Sequence, residues 1–333
     1  MSYGPGDFFK VMAKEYCSNN DQIRKLKSRG LIIANRTSAK RLLEYGNYFV
    51  IINGYKELFI DSTYTGPDEK YKAGTTFEEI YALYSFDKKL RALYLQNILE
   101  IENSIKSILA RVFSAKYGHD NYLKINNFEV SVPHNSRQES AKRVGEIVRL
   151  ISTIQSDVSQ QLKKKNPMIV HYQLDYGFIP PWVLVNILTL GTVSIFFSFM
   201  YQADQNNVGR KFGLRPHEML SCLDILTLYR NTCAHGGRLF NFYSHKRIVR
   251  MGIHNQLGLP TAGPSGNLRC GQRDLFAVTI VFKLMEKKNA FSGFYNELSK
   301  LIDELSGQLH TIPIDDVLRS MGFPSNWKDI KRI

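Results

Sequence analysis

An arginine five residues before a histidine, followed by a glycine pair and a second arginine, marks the stretch RNTCAHGGRLFN from Arg230 to Asn241. A guanidinium stays charged at neutral pH, and its planar fork can bond two phosphate oxygens. An imidazole exchanges protons near neutrality. The pair suits metal-free cleavage of a phosphodiester, with His235 as general base or acid and Arg230 on the scissile phosphate. The adjacent 2′-hydroxyl of RNA would be the nucleophile, so DNA would not react. Asn231 could orient the imidazole or contact phosphate, and Arg238 could extend the anion site. Capping and surface charge are the plainer roles for these two. The spacing alone discriminates little: with 19 Arg and 8 His in 333 residues, Arg-x4-His is expected about 0.5 times by chance.

The segment before the motif must therefore be asked how it delivers these groups. Pro216 suits the first turn of a helix whose apolar stripe runs Met219/Leu220, Leu223, Leu226 and then reaches Arg230. A charge at the end of such a stripe needs a partner. On an ideal helix Arg230 and His235 lie about 140° apart, so they do not share one face. The helix is predicted to end near His235, with Gly236 or Gly237 in the left-handed cap conformation. A symmetric dimer would bring two such pairs together across its two-fold axis.

The remaining elements also read as helical. Residues 8–60 pattern as short basic helices carrying Arg24, Lys25, Lys27, Arg29, Arg36, Lys40 and Arg41, with Tyr45, Tyr48, Phe49, Tyr55 and Phe59 interleaved. A loop is expected near 61–75. Residues 77–117 keep apolar positions at three- and four-residue steps throughout, which predicts one long helix. A polar connection with Pro133, His134 and Asn135 (118–137) precedes a helix over about 138–165. Residues 177–203 carry no charge and are predicted to be a helix buried among others. Their Asn, Thr and Ser residues and Pro180-Pro181 argue against a bilayer span. Residues 252–273, with Gly258, Pro260, Gly263, Pro264 and Gly266, read as loop. Helices over 274–290 and 292–309 and a tail from Pro313 close the chain. Strand patterns are nearly absent, so the class is all-α. The chain divides into a basic N-terminal helical region, 1–75, and a helical domain, 76–333, with a loop insertion near 252–273.

Composition narrows the partners. A net charge of +14 points to an anionic partner, with nucleic acid ahead of a membrane surface. The basic, tyrosine-bearing N-terminal region could grip RNA through phosphate contacts and stacking. Cys17, Cys222, Cys233 and Cys270 are scattered, and MSYGPGDFFKVMAKEY lacks a signal peptide's apolar run; a reducing, cytoplasmic setting is expected.

Five ordered blocks resemble the abortive-infection Abi-like proteins, the AbiD/AbiF group of the HEPN superfamily. RNTCAHGGRLFN is similar to that group's RN-x-x-AH-x-x-RL-(F/W)-N signature. LKSRGLIIANRTSAKRLLEYGNYF (26–49) resembles its N-terminal RGL segment, and FEEIYALYSFDKKLRALYLQNILEIENSI (77–105) its long helix with an F-D-x-x-L-R core. PPWVLVNILTLGTVSIFF (180–197) is similar to its W-x-x-x-E-x-x-S-x-G helix, and MGFPSNW (321–327) to its closing motif. The resemblance implies a HEPN-type helical bundle, a homodimer and a metal-independent endoribonuclease used against phage, with Arg230 and His235 as the catalytic pair. It also implies association with a structured non-coding RNA. Asp87, Arg91 and Glu102 match the long-helix motif, where the plainer role is an ion-pair network fixing helix packing. Asn186 stands where the group usually has Glu, and Gly236 where a second His is common.

Rival chemistries are weaker. A zinc site drawn from His217, Cys222, Cys233 and His235 follows no familiar ligand spacing, so no metal or other cofactor is expected. Cys233 beside His235 in sequence does not create the geometry of an activated thiol. The alternative function is a catalytically silent RNA-binding protein of a defence system. A third reading, a membrane-associated phage sensor, would use residues 177–203.

Overall fold

The computed structural model describes residues 16–131, 137–262 and 267–333. Residues 8–15 of the first expected helix, Pro133–Asn135, and Gly263, Pro264 and Gly266 of the expected loop lie outside them. The described residues fall into helices, with isolated β-bridges but no strand. The class is all-α.

Two compact units divide the chain: residues up to Phe86 together with Glu304–Ile314, and Asp87–Asp303 together with Asp315–Ile333. In the first, α1 (Asn19–Ser28) starts at a capping box in which Ser18 and Asp21 satisfy each other's backbone N–H. Asn35 caps α2 (Arg36–Gly46), its side chain accepting from the Ser38 amide at 2.9 Å. Both helices bury a narrow apolar face, Ile23 and Leu26 on α1, Ala39 and Leu43 on α2. A short π-helical turn (Phe49–Asn53) and a 3-10 turn (Glu57–Phe59) follow. The opening turns of α3 (Phe77–Tyr117) also belong here. Buried Glu79 accepts from the amides of Thr76, His310 and Thr311 at 3.0, 2.7 and 2.7 Å. Burial pushes its pKa up, but these donors outweigh it and hold the carboxyl below its ordinary range.

The second unit holds the rest of α3, which matches the long helix expected over 77–117. Tyr94 anchors it: the ring is buried against Phe282 and Phe294, and its hydroxyl meets Thr279 Oγ1 at 2.7 Å. Those partners come from α11 (Leu275–Met285) and α12 (Lys288–Ser306). Between α3 and α11 the chain forms α4 (Arg137–Lys163), α5 (Pro167–Asp175), α6 (Pro181–Leu184), α7 (Leu190–Phe199), α8 (Gln202–Gly209), α9 (Pro216–Ala234) and α10 (Gly252–Gln256). After α12 come α13 (Ile314–Ser320) and a 3-10 turn over Trp327–Lys331, in the segment that reads from sequence as a closing tail.

Two expectations need correction. The uncharged stretch 177–203 is not one helix but α6, α7 and the start of α8, with a turn at 185–187 after α6. The Asn186 amide folds back onto the carbonyls of Trp182 and Val183 at 3.0 and 3.1 Å. Thr189 then caps α7 by accepting from the Thr192 amide at 3.1 Å. The polar residues that dilute the stretch thus restart the helix instead of lining one face. No helix among the described residues is long and apolar enough to cross a membrane. The loop expected over 252–273 contains α10, whose His254 is buried and bonds the Met251 amide through Nδ1 and the Gly271 carbonyl through Nε2, both at 3.0 Å. Helix formation there follows from burial of Ile253 and His254, which the Gly/Pro content of the segment hides.

Candidate functional site

Helix α9 carries the Arg-His motif. Pro216 occupies its first turn, and Glu218 accepts from the Arg215 amide at 2.8 Å. Met219, Cys222, Leu223, Ile225, Leu226 and Tyr229 are buried. Ser194 on α7 bonds Asp224 on α9 at 3.2 Å, so a polar residue of the uncharged stretch ties the two helices together. The Tyr229 hydroxyl lies 2.9 and 3.0 Å from the carbonyls of Phe242 and Arg273, fixing the end of the helix against the segment that follows. The helix closes at His235, and Gly236 takes a φ of +69°. The amides of His235 and Gly237 return to the carbonyls of Asn231 and Thr232 at 3.0 and 2.9 Å. The sequence expectation of a glycine-terminated helix is met at Gly236, not Gly237.

Arg230 sits half-buried one residue after the Tyr229 anchor. Its Nε stands 3.8 Å from Oε2 of buried Glu102 on α3. That is ion-pair distance, not a hydrogen bond, and neither atom has a hydrogen-bond partner. The other Glu102 oxygen meets Lys106 Nζ at 2.6 Å. Glu102, and not Asp87 or Asn186, is the residue that faces Arg230. Lys106 went unnoticed in the sequence, although its place four residues after Glu102 is the ordinary helical ion-pair spacing.

Asp87 has a different task. Its fully buried carboxylate accepts from the amides of Leu239 (3.1 Å) and Phe240 (2.7 Å), and it pairs closely with Arg91. Arg91 in turn donates to the Gly237 carbonyl at 3.3 Å. This places the Asp87–Arg91 turn of α3 as a clamp on the residues that follow His235. Asn186 lies apart from it, exposed, on the turn between α6 and α7.

Asn231, His235 and Arg238 are exposed, and Arg230 is half-buried. No hydrogen bond or ion pair joins the Arg230 and His235 side chains, in keeping with their angular separation on the helix. The arrangement therefore offers one guanidinium braced by a buried carboxylate and one solvent-facing imidazole at a helix end.

The N-terminal cations behave unequally. Arg24, Lys25, Lys27, Arg36, Lys40 and Arg41 are exposed. Arg29 is only 14 % exposed at its side chain and pairs with Asp68 and Glu69, each at 3.1 Å, so it fastens the loop after residue 61 to α1. Of the interleaved aromatics, Tyr55 and Phe59 are core, whereas Tyr45 and Phe49 face solvent.

Cys222 and Cys233 are buried, and burial pushes both thiols up to about 12. Thiols held protonated in this way are poor nucleophiles. Among the described residues no three His, Cys, Asp or Glu side chains converge as a metal site would require. A cleft of about 790 Å³ opens beside α3 and α6, lined by Lys106, Arg111, Ser114, Trp182 and Asn186 among others.

A family model described as Abi-like protein matches residues 41–241, which takes in α3, the α6–α7 pair and the whole of the Arg-His motif. No curated protein and no solved structure matches the chain.

Proposed function

This chain belongs to the Abi-like protein family, and from that premise we propose that it is a HEPN-type, metal-independent endoribonuclease of phage defence. Membership supports the abortive-infection role itself. The observation that carries the nuclease reading is the bracing of Arg230 by Glu102 at a helix end whose C-cap is exposed His235. A guanidinium at ion-pair distance from a buried carboxylate is kept near the helix end before substrate arrives, which is what an electrostatic clamp on a phosphate needs.

In the reaction, the 2′-oxygen attacks the adjacent phosphorus and the P–O5′ bond breaks. One imidazole takes the 2′-hydroxyl proton, and a proton must reach the leaving 5′-oxygen. A symmetric homodimer would supply two His235 side chains, one for each transfer, and two arginines for the phosphate. The products are a 2′,3′-cyclic phosphate and a 5′-hydroxyl. Arg238 extends the anion site. Asp87 acts at a distance, by holding the backbone of Leu239 and Phe240 in place. The exposed N-terminal cations supply the general attraction to RNA, consistent with the net charge of +14.

Purified protein incubated with total or transfer RNA in EDTA tests this. Wild type should cut and leave 2′,3′-cyclic ends, whereas Arg230→Ala and His235→Ala should each lose at least about 100-fold in rate. Binding without cuts would discard the nuclease and leave a catalytically silent RNA-binding protein. Loss of cutting on chelation would reject the metal-free chemistry.

A further inference from the structure

We propose that the cleft along α3 is a binding track for a few nucleotides of single-stranded RNA, with Trp182 as its base-stacking platform. That the strand is RNA rests on the nuclease reading above; the track itself rests on four features of the cleft.

The first is its aromatic wall. The chain has two tryptophans. Trp327 is 3 % exposed, but Trp182, on α6, is 52 % exposed and lines the cleft. An indole face left open beside cations suits a nucleobase, because every base can stack on it regardless of sequence. The second is charge. Arg111 lines the cleft together with Lys106, whose buried ammonium is paired with Glu102, and none of the described residues lining it is a carboxylate. Arg111 is exposed and placed for a phosphate.

The third is an orphaned polar atom. Ser114 Oγ is buried at this wall with no hydrogen-bond partner. A buried hydroxyl without a partner is uncommon, and a rotamer change turning it into the cleft would let a sugar or phosphate oxygen satisfy it. The fourth is continuity. Ala115 also lines a second cleft of about 460 Å³, to which Lys116, Arg210 and Lys211 contribute. Lys116 shares its charge with Asp204 at 2.9 Å, whereas Arg210 and Lys211 are exposed. From Glu102 to Lys116 the helix rises about 21 Å, room for several nucleotides.

The track also meets the candidate catalytic site. Lys106 lines the cleft and holds one oxygen of Glu102, while the other oxygen faces Arg230. A strand lying on Trp182 and Arg111 would thus be led toward the guanidinium.

The test uses the full chain in EDTA and a short single-stranded oligoribonucleotide, 2′-O-methylated so that it cannot be cut. Fluorescence anisotropy should show Trp182→Ala weakening binding by about 10-fold or more, with Trp182→Phe largely restoring it. The double variant Arg111→Glu/Lys211→Glu, at exposed positions, should weaken binding similarly and flatten its salt dependence by about two charges. RNA should quench tryptophan emission in wild type but not in Trp182→Phe, since Trp327 is buried. Unchanged affinity in both the Trp182→Ala and the charge-reversed proteins overturns the proposal. So does a Trp182→Ala protein of lower molecular mass by light scattering that binds RNA normally, because that face would then be a contact between copies. Cleavage of unmodified RNA separates the two readings. Cutting that needs His235 but not Trp182 or Arg111 refutes the track alone, and track-dependent binding without any cutting refutes the nuclease alone.

Discussion

Replacing Asp87 by Asn should loosen the segment that follows the Arg-His motif more than any surface change. The carboxylate is fully buried, accepts from the Leu239 and Phe240 amides, and pairs with Arg91. Asn keeps a single acceptor oxygen and turns an N–H₂ toward donors. It also removes the carboxylate charge that Arg91, 13 % exposed at its side chain, pairs with, while the Arg91 bond to the Gly237 carbonyl remains. Hydrogen bonds to a charged group contribute about 1.5–3 kcal/mol each, and unpairing a buried ion costs about 3–5 kcal/mol. Because one acceptor survives, we expect a loss of about 3 kcal/mol, a Tm lower by about 6–12 °C for a unit of this size. Thermal melts of wild type and Asp87→Asn measure it. Hydrogen exchange locates it, since the Leu239 and Phe240 amides should lose protection before the core of α9 does. A cycle with Arg91→Met should show that part of the penalty is the lost Asp87–Arg91 ion pair, so that the double variant is less damaged than the sum of the singles. A melting point within about 2 °C of wild type, with those two amides still protected, would refute the clamp.

Two further outcomes follow from single sites. Burial, reinforced by Glu100, pushes the Glu286 carboxyl up to about 8, and neither of its oxygens has a hydrogen-bond partner. The folded chain therefore binds this proton more tightly than the unfolded chain does, so the group costs stability progressively as pH rises from about 4.5 through 8. Glu286→Gln should raise Tm at pH 8 and have little effect at pH 5; a gain independent of pH would contradict this origin. At Gly236 a Cβ would meet nothing within 4 Å, but φ is +69°. Gly236→Ala should therefore cost about 1–2 kcal/mol through backbone conformation alone. Gly236→Asn should cost less in urea melts; equal penalties would point to packing instead.

Local pattern was enough for much of this molecule. The long helix α3, the entry of α9 at Pro216, its glycine-terminated end and the nearly strand-free class are all written in short-range periodicity and in residues with restricted backbones. The order of the family-like blocks likewise needs no structure. Burial was less legible. The uncharged stretch suggested one helix because composition reports hydrophobicity, whereas the break at 185–187 depends on how the Asn186 amide folds back on its own turn. Arg29 looked like its basic neighbours, and only the loop carrying Asp68 and Glu69 tied it down.

The candidate site divides in the same way. The sequence alone put a guanidinium and an imidazole at the end of an apolar helix, because their spacing and the helix stop are local properties. Which partner each residue meets was decided by tertiary structure. The sequence alone does not show which of Asp87, Glu102 and Asn186 faces Arg230. The packing of α3 beside α9 turned Glu102 to the arginine, spent Asp87 on the backbone after His235, and left Asn186 on an exposed turn. Charges far apart in sequence pair only where the apolar faces beneath them fit, and that fit is a property of the whole fold, not of any one segment.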